Sequence, residues 1–308
     1  MSLSGTQSKS SLANFATSYP EAVGKTVAIL DVPIDAVTLT DVIQKIEQII
    51  CSKEGEKLRV ATPNPEFIVR SVQDERFART LKSAGLRIAD GSGLIWASYY
   101  LQLPWRGYFI ALGEIFYYGF SLIFAPQLCY RYLPMRTTGV DLAYYLAETA
   151  AKKGWKMFLL GAAAGVAEQT KAVLEQRYPE IQITGTYAGS PHPAEAAAIR
   201  QRIDASQADI LLVAYGAPKQ DFWLEENLAQ LETVKVGIGV GGTLDFIAGR
   251  VKRAPALLRH LHLEWLWRLV LQPWRLLRIS KATLYFVYLV YQERVKQRRT
   301  VPINAKIR

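Results

Sequence analysis

Apolar runs and helical periods alternate along this chain. Short runs rich in β-branched and apolar residues predict strands at residues 26–30, 59–61, 86–89, 157–160, 181–186, 210–214 and 234–240. Between them the spacing turns helical. At 40–50, Val42, Ile43, Ile46, Ile49 and Ile50 fall on one helix face, and further helices are expected at 72–84, 140–153, 166–178 and 194–205, with the remainder beyond 243 helical. Strands alternating with helices pack as a parallel sheet with right-handed crossovers. The expected fold class is therefore α/β, a Rossmann-like parallel sheet flanked by helices. Sheets of this kind bind ligands beyond the carboxyl ends of their strands. Several expected strand ends carry polar or glycine-rich residues: Thr62 and Asn64, Asp90-Gly91, Gly161, Gly216–Gln220 and Gly241–Asp245.

Charge divides the chain. Its 308 residues carry a net +10, but residues 250–308 hold fourteen Lys and Arg against two acids, Glu264 and Glu293, a net +12, which leaves about −2 for residues 1–249. A near-neutral body with a basic tail points to an anionic partner for the tail. Residues 1–24 are polar, rich in Ser and Thr, without an apolar signal core, and read as a disordered leader. The expected division is this leader, an α/β core over 25–249 and a basic helical appendage over 250–308. Cys51 and Cys129 form no disulfide framework, and His192, His260 and His262 lack partners in a metal-ligand pattern, so no metal site is expected.

Each strand end has a plain reading beside a chemical one. The stretch Gly161-Ala162-Ala163-Ala164-Gly165 joins a strand to a helix, and its small residues suit either backbone contact with a phosphate or a tight turn. Asp90 is either a helix N-cap or a general base that takes a proton from an attacking hydroxyl. Thr62 and Asn64, bracketed by prolines, either position polar groups in a site or close an Asx-type turn. Gln220 either holds a sugar hydroxyl or phosphate or caps the next helix. Arg268, Arg275 and Arg278 share one helical face if the helix runs through Pro273. That face suits a diphosphate, or is simply a solvated basic surface.

Taken in order, these segments resemble the WecG/TagA/CpsF family of bacterial glycosyltransferases (glycosyltransferase family 26). The matching stretches are ILDVPIDAVTLTDVIQKI, TPNPEF, ADGSGLIWAS, RTTGVDL, FLLGAAAGVAE, YGAPKQDFW, GVGGTLDFIAGRVKRAP and LEWLWRLVLQPWRLLR, spread over residues 29–278. The resemblance implies inverting transfer from a UDP-sugar, of N-acetylmannosamine type, to a sugar on undecaprenyl diphosphate in cell-surface polysaccharide synthesis. It implies Asp90 as the catalytic base and Thr62, Asn64 and Gln220 in the site, with Gly161, Gly216 and Gly241 at the surrounding turns. It also implies arginines 268, 275 and 278 in an appendage that closes over the diphosphate. No cofactor beyond the donor substrate and no essential metal are implied. The alternative is a non-catalytic nucleotide-sugar-binding or scaffold protein.

One stretch departs from the family pattern. Between Leu103-Pro104 and Leu133-Pro134 lies an apolar insertion, 105–132, whose segment 108–129 is aromatic and carries one charge, Glu114. It is long enough to span a bilayer, but Asp90 precedes it and the 138–142 and Gly161 segments follow it in the same sheet, so a single crossing would divide the site. A re-entrant hairpin broken near Gly119, a helix lying in the membrane interface, or a subunit contact remain. A second apolar segment, 283–291, precedes the basic run 294–299 and suits a membrane surface, or else packs on the core. The expected location is the cytoplasmic face of the cell membrane, peripheral or monotopic. An anionic membrane surface and a homo-oligomer are possible partners; nucleic acid is not expected, because the aromatics interleaved with the basic tail favour lipid.

Overall fold

A computed structural model describes residues 26–261 and 263–298, without the side chains of His260, Arg268, Arg275 and Arg278; the leader expected at 1–24 lies outside them. Six parallel strands form the sheet: β3 (Leu58–Ala61), β4 (Leu86–Arg87), β5 (Lys156–Gly161), β6 (Gln182–Tyr187), β7 (Ile210–Ala214) and β8 (Val236–Gly239), in the order β4-β3-β8-β7-β5-β6. Burial on both faces explains the unbroken apolar runs: every residue of β7 and β8 is buried.

A separate hairpin, β1 (Thr26–Ile29) and β2 (Val32–Asp35), lies at the β4 edge, where Asp35 bridges Ile88. Sequence reading missed β2. Its turn, Leu30-Asp31, takes positive φ at both residues (48° and 67°), the two-residue hairpin geometry usually signalled by Asn-Gly.

Around the sheet lie α1 (Leu39–Cys51), α2 (Pro65–Gln73), α3 (Glu75–Lys82), α4 (Ser92–Tyr100), α5 (Tyr108–Phe124), α6 (Gly139–Lys153), α7 (Val166–Arg177), α8 (Pro193–Ala205), α9 (Lys219–Asn227) and α10 (Thr243–Ile247). The tail adds α11 (Ala256–His260), α12 (Glu264–Leu271), α13 (Leu276–Ser280) and α14 (Phe286–Gln297), with a π-helical turn, Lys281–Tyr285, joining the last two. Local chemistry sets these starts. Thr38 and Asp41 form a reciprocal capping box on α1. Asp74 caps α3 through the Phe77 N–H at 3.0 Å, which breaks the single helix expected at 72–84.

Three apolar clusters fill the interior. One packs α1, α6, α7 and α10 on the sheet. A second packs α8 and α9 against β5 and β7. The third joins the hairpin, α2, α3 and α4 to Phe286 and Val290 of α14. The segment expected to lie on a membrane surface therefore turns one side into the body while Leu284 and Tyr288 stay exposed. Cys51 is exposed, Cys129 buried, and both are free thiols.

Within the insertion, Tyr108–Phe124 is one continuous helix, α5, with no break at Gly119, followed by a 3-10 turn, Pro126–Leu128, so the re-entrant hairpin is not formed. Among the described residues, no helix is long and apolar enough to cross a membrane. α5 packs on α4 and α14 through Ala111, Ile115, Tyr118 and Leu122. Its outer face is a bare apolar stripe: Phe109, Phe116, Phe120 and Phe124 are 90%, 68%, 61% and 80% exposed. Inside, Arg294 of α14 pairs with Glu114 of α5.

Candidate active site

Beyond the carboxyl ends of β3, β4, β7 and β8 lies a cavity of about 800 Å³. Thr62, Asn64, Asp90, Gly216, Gln220 and Gly241 all line it, so most of the residues singled out from sequence meet at one place. Gly161 is not among the lining residues. A Cβ there would sit 2.9 Å from the Ala214 carbonyl carbon, so this glycine serves the close approach of the β5 and β7 ends.

Asp90 follows β4 at the start of the loop into α4. Its N–H donates to the Pro63 carbonyl at 2.8 Å, which ties the loop to the end of β3. Its side chain is half-buried at the cavity wall. Gly91, not Asp90, occupies the N-cap position of α4. Thr62 is buried and donates through Oγ1 to the Gly239 carbonyl at 3.0 Å, locking β3 to β8 just below the cavity floor. Asn64 caps α2: its Oδ1 accepts from the Phe67 N–H at 3.1 Å, with Pro65 in the first turn. With the oxygen committed to the cap, the amide NH2 is the part of Asn64 with chemistry left for a ligand.

Gln220 is 0% exposed. Its Oε1 accepts from the Gly241 N–H at 2.8 Å and so holds the turn after β8, where Gly241 takes φ 55°. Its Nε2 is buried with no hydrogen-bond partner among the described residues. A buried donor left over beside a cavity is suited to a polar ligand atom. Gly239 leaves room for this side chain, since a Cβ there would lie 2.7 Å from Nε2.

Sequence reasoning missed the cationic side of the cavity. Arg136 lines it and pairs with Glu264 of α12 at 3.1 Å; the two side chains are 13% and 21% exposed. Arg253 also lines it and meets Asp141 at 2.6 Å, beside the Thr138 cap of α6. The signal for Arg136 was present in the RTTG segment, where it reads equally as a lipid-facing flank of the insertion.

The arrangement expected for the tail arginines is corrected. α12 stops at Leu271, Gln272 leaves helical geometry (φ −138°, ψ 70°), and Pro273 opens a separate 3-10 turn, Pro273–Arg275. Proline lacks the helical N–H and disfavours helix at the residue before it. Arg268, Arg275 and Arg278 thus fall on three successive elements rather than one helical face, and their side chains lie outside the described part of the structure. Their neighbours Trp265, Trp267, Gln272 and Ile279 do line the cavity, as do Ala282 and Thr283 of the π-helical turn.

The cavity wall is mixed in polarity. Asp90, Thr62, Asn64, Gln220 and the turns after β7 and β8 line it, and so do the apolar Ile115 and Leu122 of α5, Ile279, Ala282, Phe286 and Val287. Among the described residues no cluster of three His, Cys, Asp or Glu side chains is arranged to hold a metal ion.

The family model described as "Glycosyl transferase WecG/TagA/CpsF family" matches residues 27–109 and 114–300, the interruption falling within α5. Among curated proteins, the chain is similar to N-acetylglucosaminyldiphosphoundecaprenol N-acetyl-beta-D-mannosaminyltransferases of Staphylococcus aureus. Those of strains MRSA252 and MW2 are each 28% identical over 270 residues, covering 88% of this chain and 94% of the relative. That of strain NCTC 8325 / PS 47 is 27% identical over the same span.

Proposed function

The chain belongs to the WecG/TagA/CpsF glycosyl transferase family and is a hexosyltransferase; from that premise we propose that it moves a sugar of N-acetylmannosamine type from a UDP-sugar to a sugar held on undecaprenyl diphosphate. The observation that carries this reading is a single cavity whose wall joins Asp90, Thr62, Asn64 and Gln220 to apolar side chains of α5 and α14. An acceptor with a sugar, a diphosphate and a long hydrocarbon chain brings polar and apolar parts to such a wall.

In this reading the acceptor hydroxyl lies against Asp90, which takes its proton as the oxygen attacks the anomeric carbon of the donor. Attack from the face opposite the departing UDP inverts that centre. Gln220 Nε2 and the Asn64 amide donate to donor or acceptor oxygens. Arg136 and Arg253 offset diphosphate charge from the α6 side, and arginines 268, 275 and 278 do so from the appendage. The work is done at the cytoplasmic face of the membrane, with the α5 stripe and the exposed apolar residues of α12–α14 against the lipid.

The test is UDP release from UDP-N-acetylmannosamine with an N-acetylglucosaminyl diphosphate lipid as acceptor. Asp90→Asn is expected to lower kcat by roughly 10²- to 10⁴-fold, the span for a lost general base, while UDP binding holds within about twofold. Wild-type turnover in Asp90→Asn would remove Asp90 from the mechanism.

A further inference from the structure

A second hollow adjoins the cavity at α5. It has a volume of about 200 Å³ and is lined by Ile115, Phe116, Gly119, Phe120 and Ile123. The two hollows share Ile115 and Gly119. Glycine inside a helix costs about 1 kcal/mol relative to alanine, so a mid-helix glycine commonly serves close packing. Gly119 does not: a Cβ at this position would meet nothing within 4 Å. What the glycine does is leave a gap in an otherwise bulky apolar wall, between Phe116 and Phe120, at residues the two hollows share.

The geometry points to Gly119 as a saddle over which the isoprenoid chain of the acceptor leaves the cavity for the exposed face of α5. This rests on the lipid-linked acceptor proposed above. Three observations select that occupant. The path begins at Ile115 and Gly119, which line both the cavity that holds Asp90 and the second hollow. Its second hollow is lined by apolar side chains alone and offers water no partners. It emerges on the stripe of Phe109, Phe116, Phe120 and Phe124, where a hydrocarbon chain rejoins its own phase. Gly113 supplies an internal control, since it lies on the same helix with open space beside it but lines neither hollow.

Gly119→Leu fills the saddle with a better helix former. KM is measured by UDP release with two N-acetylglucosaminyl diphosphate acceptors, one undecaprenyl and one with a short water-soluble prenyl chain. The expected result is a rise of roughly tenfold in the long-chain KM relative to the short-chain KM, the effect of losing contact with about two carbons of the chain. Gly113→Leu leaves that ratio unaltered, and neither variant loses binding to anionic vesicles. An unchanged ratio in Gly119→Leu overturns the chain path. Loss of vesicle binding in step with KM assigns the saddle to bulk lipid, and a changed mass by light scattering assigns it to a second copy of the chain; either overturns the proposal. If the wild type turns over neither acceptor, the acceptor reading itself has failed.

Discussion

The pair Arg294–Glu114 fastens α14 to α5, and its removal gives a measurable coupling. Arg294 Nη2 meets Glu114 Oε2 at 2.6 Å and the Pro104 carbonyl at 3.1 Å, while the guanidinium lies 4.3 Å from the Tyr100 ring centre. The side chains are 2% and 14% exposed. At an effective dielectric of about 20 the contact is worth roughly 6 kcal/mol gross, most of which is offset by stripping water from both ions. The net pair is therefore worth little, but stranding one partner is costly. Breaking a fully buried pair costs about 3–5 kcal/mol. Glu114→Ala leaves Arg294 without its counter-charge and is expected to cost roughly 3 kcal/mol. Arg294→Met leaves a carboxylate that water reaches in part, but it forfeits the Pro104 bond and the Tyr100 contact, about 2 kcal/mol. The double variant should cost about 3 kcal/mol, giving a coupling near 2 kcal/mol in a cycle of urea unfolding. A coupling below about 0.5 kcal/mol would refute the view that this pair anchors α5.

Two further predictions are independent of that pair. Burial pushes the Asp221 carboxyl up to about 7, against the pull of Arg59. Its unfolded value is about 3.9, so the folded chain holds an extra proton between those limits and stability falls as pH rises from about 4 to about 7. Asp221→Asn should gain on the wild type in urea midpoint between about pH 4 and pH 7, and a gap that stays constant would remove the buried-acid account. On α5, Phe109→Ser with Phe124→Ser should weaken partitioning onto anionic vesicles roughly tenfold or more while leaving the thermal midpoint within about 2 °C, because both rings are exposed; vesicle binding at the wild-type level would take the stripe out of the membrane contact.

The parts legible in the sequence are those where one force decides. Ile210–Ala214 is apolar throughout because both faces of β7 are covered, and no other element suits so short a buried run. The convergence of Thr62, Asn64, Asp90 and Gln220 follows from the parallel sheet, which turns every strand end to one side. What escaped notice depends on partners distant in sequence. Nothing around Arg136 announces Glu264, and nothing in the LYFVYLVY run tells which side Phe286 and Val290 will face. The helix break at Asp74 was readable, since an Asp followed by Glu-Arg-Phe is an ordinary helix start, but the apolar spacing on either side masks it.

The cluster that takes Phe286 and Val290 is otherwise built from residues between Val27 and Leu133. A ribosome must therefore pass residue 290 before that layer can close. Until then its early helices stand with an open apolar flank, a surface that chaperones recognise and that favours association between nascent chains. Cutting the chain at the apparent border near residue 250 would reproduce that unfinished state permanently, so the tail is a structural member of the fold and not a detachable accessory to it.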